Sequence, residues 1–186
     1  ACLAGGMLDL AHVLTYQGVS VFPEAHGDAS IQAKTAGRWI VSLSFLAAPL
    51  FLKRKIKAGV TLAGYLALVA AALWSIAADV FPDSYVQGAG MTAFQQYSRG
   101  LSCLAFMAAA GLLTGHRREF EGRVFGLLFG ALLANALSEG ASAVSTDFFG
   151  VVKITAHLSE VVALFLIYKA FIDEGVRRPQ DLLYRS

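Results

Sequence analysis

Long runs of apolar residues alternate along the chain with short segments where Gly, Pro and charge gather. Crossing about 30 Å of hydrocarbon takes roughly 20 apolar residues in a helix. The pattern predicts six helices of this kind, at 1–16, 32–52, 57–81, 92–114, 120–145 and 148–172. At about 1.5 Å per residue the first reaches only ~24 Å, so its beginning is expected upstream of Ala1, with room for one more helix before it. Pro179 to Ser186 reads as the start of a further helix. The expected fold class is therefore all-α: a polytopic transmembrane bundle of about six helices. Residues 1–176 would form the membrane domain, and 177–186 would begin a linker to a missing output domain. Small residues at Gly122, Gly126, Gly130, Ala134 and Ser138 suggest a seam for a closely packed neighbour. Pro49 is the candidate kink.

The distribution of positive charge orients these spans, because short cytoplasmic loops collect Lys and Arg. Lys53, Arg54, Lys55 and Lys57 follow the second helix, Arg117, Arg118 and Arg123 follow the fourth, and Lys169, Arg177, Arg178 and Arg185 lie at the end of the sixth or beyond it. The intervening loops hold Glu24, His26 and Asp28, then Asp83, then Asp147, with no Lys or Arg. A bacterial inner-membrane protein with a cytoplasmic C-terminus is expected.

Composition agrees. Hydrophobic residues make up 56% and charged residues 15%, against about 45–50% and about a quarter in soluble domains. An ordinary soluble enzyme is excluded. The net charge of +2, dispersed along the chain, provides no face for nucleic acid. Cys2 and Cys103 lie in apolar runs without a CxxC pair and read as small hydrophobes.

Ionisable groups inside a bilayer are expensive and mark function or register. Within the predicted spans they are Asp9, Arg38, Asp79, Arg99, Glu139, Lys153 and Glu160, with His12 and His157 beside them. Asp9, Arg38, Arg99 and Glu139 lie about seven to ten residues from the predicted outer ends, roughly 10–15 Å deep. Asp9, His12 and Tyr16 share one face of the first helix, and Lys153, His157 and Glu160 one face of the sixth. Gln95 accompanies Arg99, while Asn135, Ser138 and Ser142 surround Glu139. Two readings use these residues: an ion-pair network that fixes helix register, or a polar pocket in the outer half of the bundle that takes a ligand. Asp79, close to the membrane surface, is the weakest member. The spacing Asp9-x-x-His12 and His157-x-x-Glu160, with Glu139, also has the form of a metal centre, though Lys153 and Arg99 compete for its carboxylates. A haem held by His12 and His157 is a rarer variant. No cofactor is expected. Ser138, Ser142 and Ser159 form no catalytic triad with His157, so the segment is read as non-catalytic. A proton- or ion-coupled transporter or channel fragment is the main rival, but the chain lacks an inverted repeat or paired broken helices.

The stretch Leu8-Asp9-Leu10-Ala11-His12-Val13-Leu14-Thr15-Tyr16-Gln17-Gly18, then Val21-Phe22-Pro23, resembles the signature of the third class of bacterial membrane-associated sensor (MASE) domains. So do Arg38-Trp39, His157-Leu158-Ser159-Glu160, Leu166-Ile167-Tyr168-Lys169-Ala170 and Arg177-Arg178-Pro179. The resemblance runs through nearly the whole chain in helix order. It implies an integral-membrane input module joined at its C-terminus to PAS, histidine kinase or diguanylate cyclase (GGDEF) modules, with Asp9, His12, Tyr16, Arg38 and His157 at motif positions. Glu160 departs from it, standing where the resemblance associates a basic residue. The resulting expectation is a sensory input domain of a two-component kinase or cyclase. It binds a small-molecule or lipid-soluble ligand, or a proton, at Asp9, His12, Tyr16, Arg38, Arg99, Glu139, Lys153, His157 and Glu160, and signals through the last helix. Its other partners are the lipid bilayer and, by analogy with dimeric kinases and cyclases, a second copy of the parent protein.

Overall fold

A computed structural model describes residues 1–16, 21, 28–52, 57–86, 88–144 and 150–173. It contains helices α1 (Cys2–Thr15), α2 (Ala29–Phe51), α3 (Ala58–Ala77), α4 (Ala93–Gly115), α5 (Gly122–Val144) and α6 (Val151–Ile172). An all-α fold is thus observed. Among the described residues four helices, α3 to α6, are long and apolar enough to cross a membrane. The fourteen residues of α1 fall short of that length. Helix α2 has the length, 23 residues, but carries Gln32, Lys34 and Arg38 in its first half. The basic positions 53–55 and 177–178, the loop residues Glu24 and His26, and Asp147 lie outside the described residues, as does the expected linker at 177–186.

Two compact units divide the chain within α4, at Ser102 and Cys103. In the first, α1 and α2 run antiparallel and close together. A Cβ on Gly5 would stand 2.6 Å from Val41 Cγ2, and one on Gly37 would stand 3.2 Å from Leu8 Cβ. These two glycines permit the approach, so that dispersion contacts and hydrogen bonds between helices form without long side chains in between. Ala4, Leu8, Ala36 and Val69 make a small core, flanked by Ile40, Tyr65, Ala72 and Phe81. Tyr65 donates to Ser44 Oγ across 2.7 Å and so ties α3 to α2. The rest of α3 is largely exposed, as expected of an apolar helix whose solvent is lipid.

The end of α3 shows how the chain leaves the apolar layer. Asp79 has φ 56°. The N–H of Val80 reaches the carbonyl of Ser75 at 2.9 Å and that of Asp79 reaches Ile76 at 3.2 Å, a Schellman closure with Asp79 in its left-handed position. Asp79 is therefore an exposed cap residue and no part of the polar layer to which its carboxylate suggested it belonged. Beyond it, β1 (Tyr85–Val86) and β2 (Gly90–Met91) form a small antiparallel hairpin, with Tyr85 opposite Met91. Its tip uses Gly88 and Gly90 at φ near +90° (87° and 88°), which glycine adopts without steric cost. Thr92 then caps α4: its Oγ1 accepts from Gln95 N–H at 3.2 Å and donates to the Asp83 carbonyl at 2.6 Å. The hydrophobic pattern does not announce this hairpin, because two-residue strands carry too little periodicity.

In the second unit α5 and α6 pack antiparallel, with Gly130 facing Leu166, where an added Cβ would meet Leu166 Cδ1 at 3.4 Å. The expected small-residue seam on α5 holds only in part: nothing lies within 4 Å of a Cβ placed on Gly122 or Gly126. Positions four apart drift by about 40° per step around a helix of 3.6 residues per turn, so a run from 122 to 138 cannot keep one face toward a partner. The buried set of α5 is Val124, Ala131, Leu132, Asn135, Ala136, Ser138, Glu139 and Ser142.

Replacing Gly37 by Leu is expected to force α1 from α2 and lower stability by about 1–3 kcal/mol, read as the midpoint of thermal unfolding in detergent. Replacing Asp79 by Gly should be neutral or stabilising, and Asp79→Val should cost on the order of 1–2 kcal/mol, measured in the same way.

Candidate functional site

The polar residues of the first unit are placed by the antiparallel α1–α2 register, which brings Asp9 to Lys34 and His12 to Ser30. Asp9 Oδ1 accepts from Lys34 Nζ at 3.0 Å. The Lys34 side chain is 13% exposed and that of Asp9 37%. His12 Nδ1 lies 2.8 Å from both the carbonyl and the hydroxyl of Ser30, and Ser30 Oγ lies 3.0 Å from the carbonyl of His12. A carbonyl only accepts, so Nδ1 carries a proton and donates to Ser30. Ser30 Oγ can then spend its own proton on the His12 carbonyl. This assigns the tautomer and leaves Nε2 as the nitrogen through which a neutral His12 can accept from, or ligate, a bound group. Tyr16 stacks edge-on against the imidazole, 6.2 Å between ring centres, and is half exposed.

Arg38 and Arg99 are both buried, and each is partnered within the protein. The charges of Lys34, Asp9 and Arg99 all act on the His12 imidazole. Thr35 and Gln95 join α2 to α4, with Thr35 Oγ1 2.7 Å from Gln95 Oε1 and 2.9 Å from the Ile31 carbonyl. A hydroxyl has one proton for these two acceptors. Turning the amide so that Gln95 Nε2 donates to Thr35, whose proton then goes to Ile31, satisfies all three groups and gives the otherwise unpartnered Nε2 an acceptor.

In the second unit Glu139 is 1% exposed and Glu160 9%, and both are partnered. The α5–α6 register sets Glu139 at the level of His157. The face expected to hold Lys153, His157 and Glu160 together is divided: Glu160 lies on the buried side with Ala156, Ala163 and Ile167, Lys153 is half-buried, and the His157 side chain is 60% exposed. His157 Nδ1 stands 3.9 Å from Glu160 Oε2, longer than a hydrogen bond. At the opposite end of the helix pair, Arg123 Nε meets the buried Asp173 carboxylate at 2.8 Å and ties the last turn of α6 to the first of α5.

With the geometry in view, comparison with known proteins decides the class. The chain matches the family model of MASE3, a membrane-associated sensor domain, over residues 1–179. It belongs to that family. No curated protein and no solved structure matches it. As a sensor domain the segment is read as non-catalytic, and its several apolar helices accord with a multi-pass membrane protein.

Sequence reasoning passed over Lys34, Ser30, Thr35 and Asp173, which the structure brings into these polar contacts. Lys34 sits at the polar start of α2, which begins at Ala29, before the expected boundary at 32. The spacing Ser30, Lys34, Arg38, one residue every helical turn, is the signal that marked this face. Among the described residues no group of three His, Cys, Asp or Glu side chains is placed to hold a metal ion.

Asp9→Asn is expected to strip Lys34 of its carboxylate and cost about 1–3 kcal/mol, with part of the loss recovered in Asp9→Asn/Lys34→Met. A double-variant unfolding cycle in detergent measures this coupling, and strict additivity would show the pair to be energetically independent.

Proposed function

We propose that this membrane-embedded sensor domain receives a small polar or lipid-soluble ligand, or a proton, at the cluster around His12, and that α6 carries the response to an output module. The observation that carries the reading is the imidazole itself. Its Nδ1 is held by Ser30 on the neighbouring helix, so a group accepted at Nε2 bears directly on the α1–α2 contact. Asp9, Tyr16, Arg38 and Arg99 are the companions in this role, with Lys34 holding Asp9 in place. Glu139, Lys153, His157 and Glu160 on α5 and α6 belong to the relay in the proposal.

The mechanism is a population shift: a ligand that binds two packings of the helices unequally favours one of them. The Arg123–Asp173 ion pair makes the end of α6 a suitable place for that shift to leave the membrane, because an ion pair there has two discrete states, made and broken. The exposed Arg117 and Arg118, in the short connection before α5, are basic residues of the kind that gather in cytoplasmic loops, and they support assignment of this exit to the cytoplasm of a bacterial inner-membrane protein. A histidine kinase or diguanylate cyclase, working as a homodimer, is the proposed output.

His12→Ala in the full-length parent protein, reconstituted in nanodiscs, should change autophosphorylation or cyclase output severalfold, whereas His116→Ala, just beyond the end of α4, should not. Equal output in wild type and His12→Ala would reject the receptor role of this cluster.

A further inference from the structure

Above the His12 cluster, where α2 begins, lies a second polar knot. Asp28 precedes α2 without capping it; its carboxylate reaches instead to the hairpin, where Oδ2 accepts from Ser84 N–H at 2.6 Å. Gln32, one turn along α2, donates to the carbonyls of Phe81 and Pro82 at 3.3 Å. Thr92 N–H donates to the Ser84 carbonyl at 3.1 Å. The head of α2, the segment before β1 and the cap of α4 are thereby fastened at one point.

This fastening is electrically incomplete. Among the described residues, Asp28 Oδ1 is buried without a hydrogen-bond partner, and so is the hydroxyl of Ser84, a residue with no exposed surface. A buried unpaired carboxylate oxygen is among the costliest groups a protein can hold. Among the described residues, the ionisable groups around Asp28 are Asp83 before β1, Tyr85 on β1, His12 on α1, bonded to Ser30, and Lys34 on α2, bonded to Asp9. The charge that acts on Asp28 is that of Asp83, which repels it. Among the described residues no side chain neutralises it. Oδ1 has less than 1 Å² accessible to a water-sized probe, whereas a proton needs no cavity.

We propose that Asp28 is a proton-binding site whose occupancy fastens the β1–β2 hairpin to the head of α2. Protonation at Oδ1 removes the charge opposed by burial and by Asp83, while Oδ2 goes on accepting from Ser84. Burial, foremost, and Asp83 hold this carboxyl above its ordinary value of 3.8, against the opposing hydrogen bonds from the Ser84 and Tyr85 backbone and the Gln32 side chain. A carboxyl with a raised value in the fastened state binds protons more tightly there than when released into water. The stabilisation is fully present below the released value and is lost as pH rises through the fastened one. The inference requires neither a ligand at His12 nor an output module, and stands or falls apart from them.

The test is a carbon-13 NMR titration of aspartate-labelled chain in nanodiscs, with Asp28→Asn used to assign the Asp28 signal. A midpoint clearly above 3.8 for Asp28, lowered in Asp83→Asn, is expected. In parallel, the unfolding midpoint of wild type relative to Asp28→Asn should rise as pH falls through that range. A midpoint at or below 3.8 overturns the proposal, and this can be read in wild type even if the variant fails to fold. Stabilisation of wild type by calcium at fixed pH, absent in Asp28→Asn, overturns it in favour of a bound cation.

Discussion

The contact between α1 and α2 is the constraint on which the first unit depends. In hydrocarbon two apolar helices gain little from hiding their side chains from water, since lipid is as apolar as they are; close packing and hydrogen bonds hold them together instead. Gly5 and Gly37 remove the bulk that would keep the backbones apart. The short side chains Ser30 and Asp9 can then reach His12 and Lys34. A wider separation would leave these groups without the partners they now have, and an unsatisfied buried polar group costs roughly 1–3 kcal/mol. Packing and polar chemistry are thus one device, and a disturbance of either is felt by the other.

The same economy appears at both ends of the spans. Asp79 closes α3 with a left-handed residue, Thr92 opens α4 with a hydroxyl cap, and Asp28 lends its carboxylate to the hairpin rather than to its own helix. Arg123 and Asp173 fasten the far end of α5 and α6. Each of these joints lies at a helix end, and each is made by a few polar contacts. For a sensor domain this is a favourable place for reversible contacts, because local opening there leaves the apolar spans intact.

Much of this architecture is legible in the amino-acid sequence. The six helices follow from apolar runs bounded by charge, and the family signature lies in the residues around His12 and His157. Asp9 and His12 do share a cluster, though Lys34 holds Asp9, a partner that the count of buried charges left out. Asp79 illustrates the opposite error: an acidic residue near a predicted span proved to be a helix cap. His157 and Glu160 differ in exposure although three positions apart, because they lie on either side of the face that α6 buries against α5.

The sequence by itself determined that the chain is helical and membrane-embedded, and where its helices begin and end to within a few residues. These properties depend on local runs of side chains meeting a slab of fixed thickness. Only the tertiary structure decided which polar groups meet: Lys34 with Asp9, Ser30 with His12, Asp28 with Ser84, Arg123 with Asp173. Such pairs are set by the rotation, register and separation of neighbouring helices. In an apolar solvent many arrangements bury the same residues, and the pattern along the chain does not distinguish them.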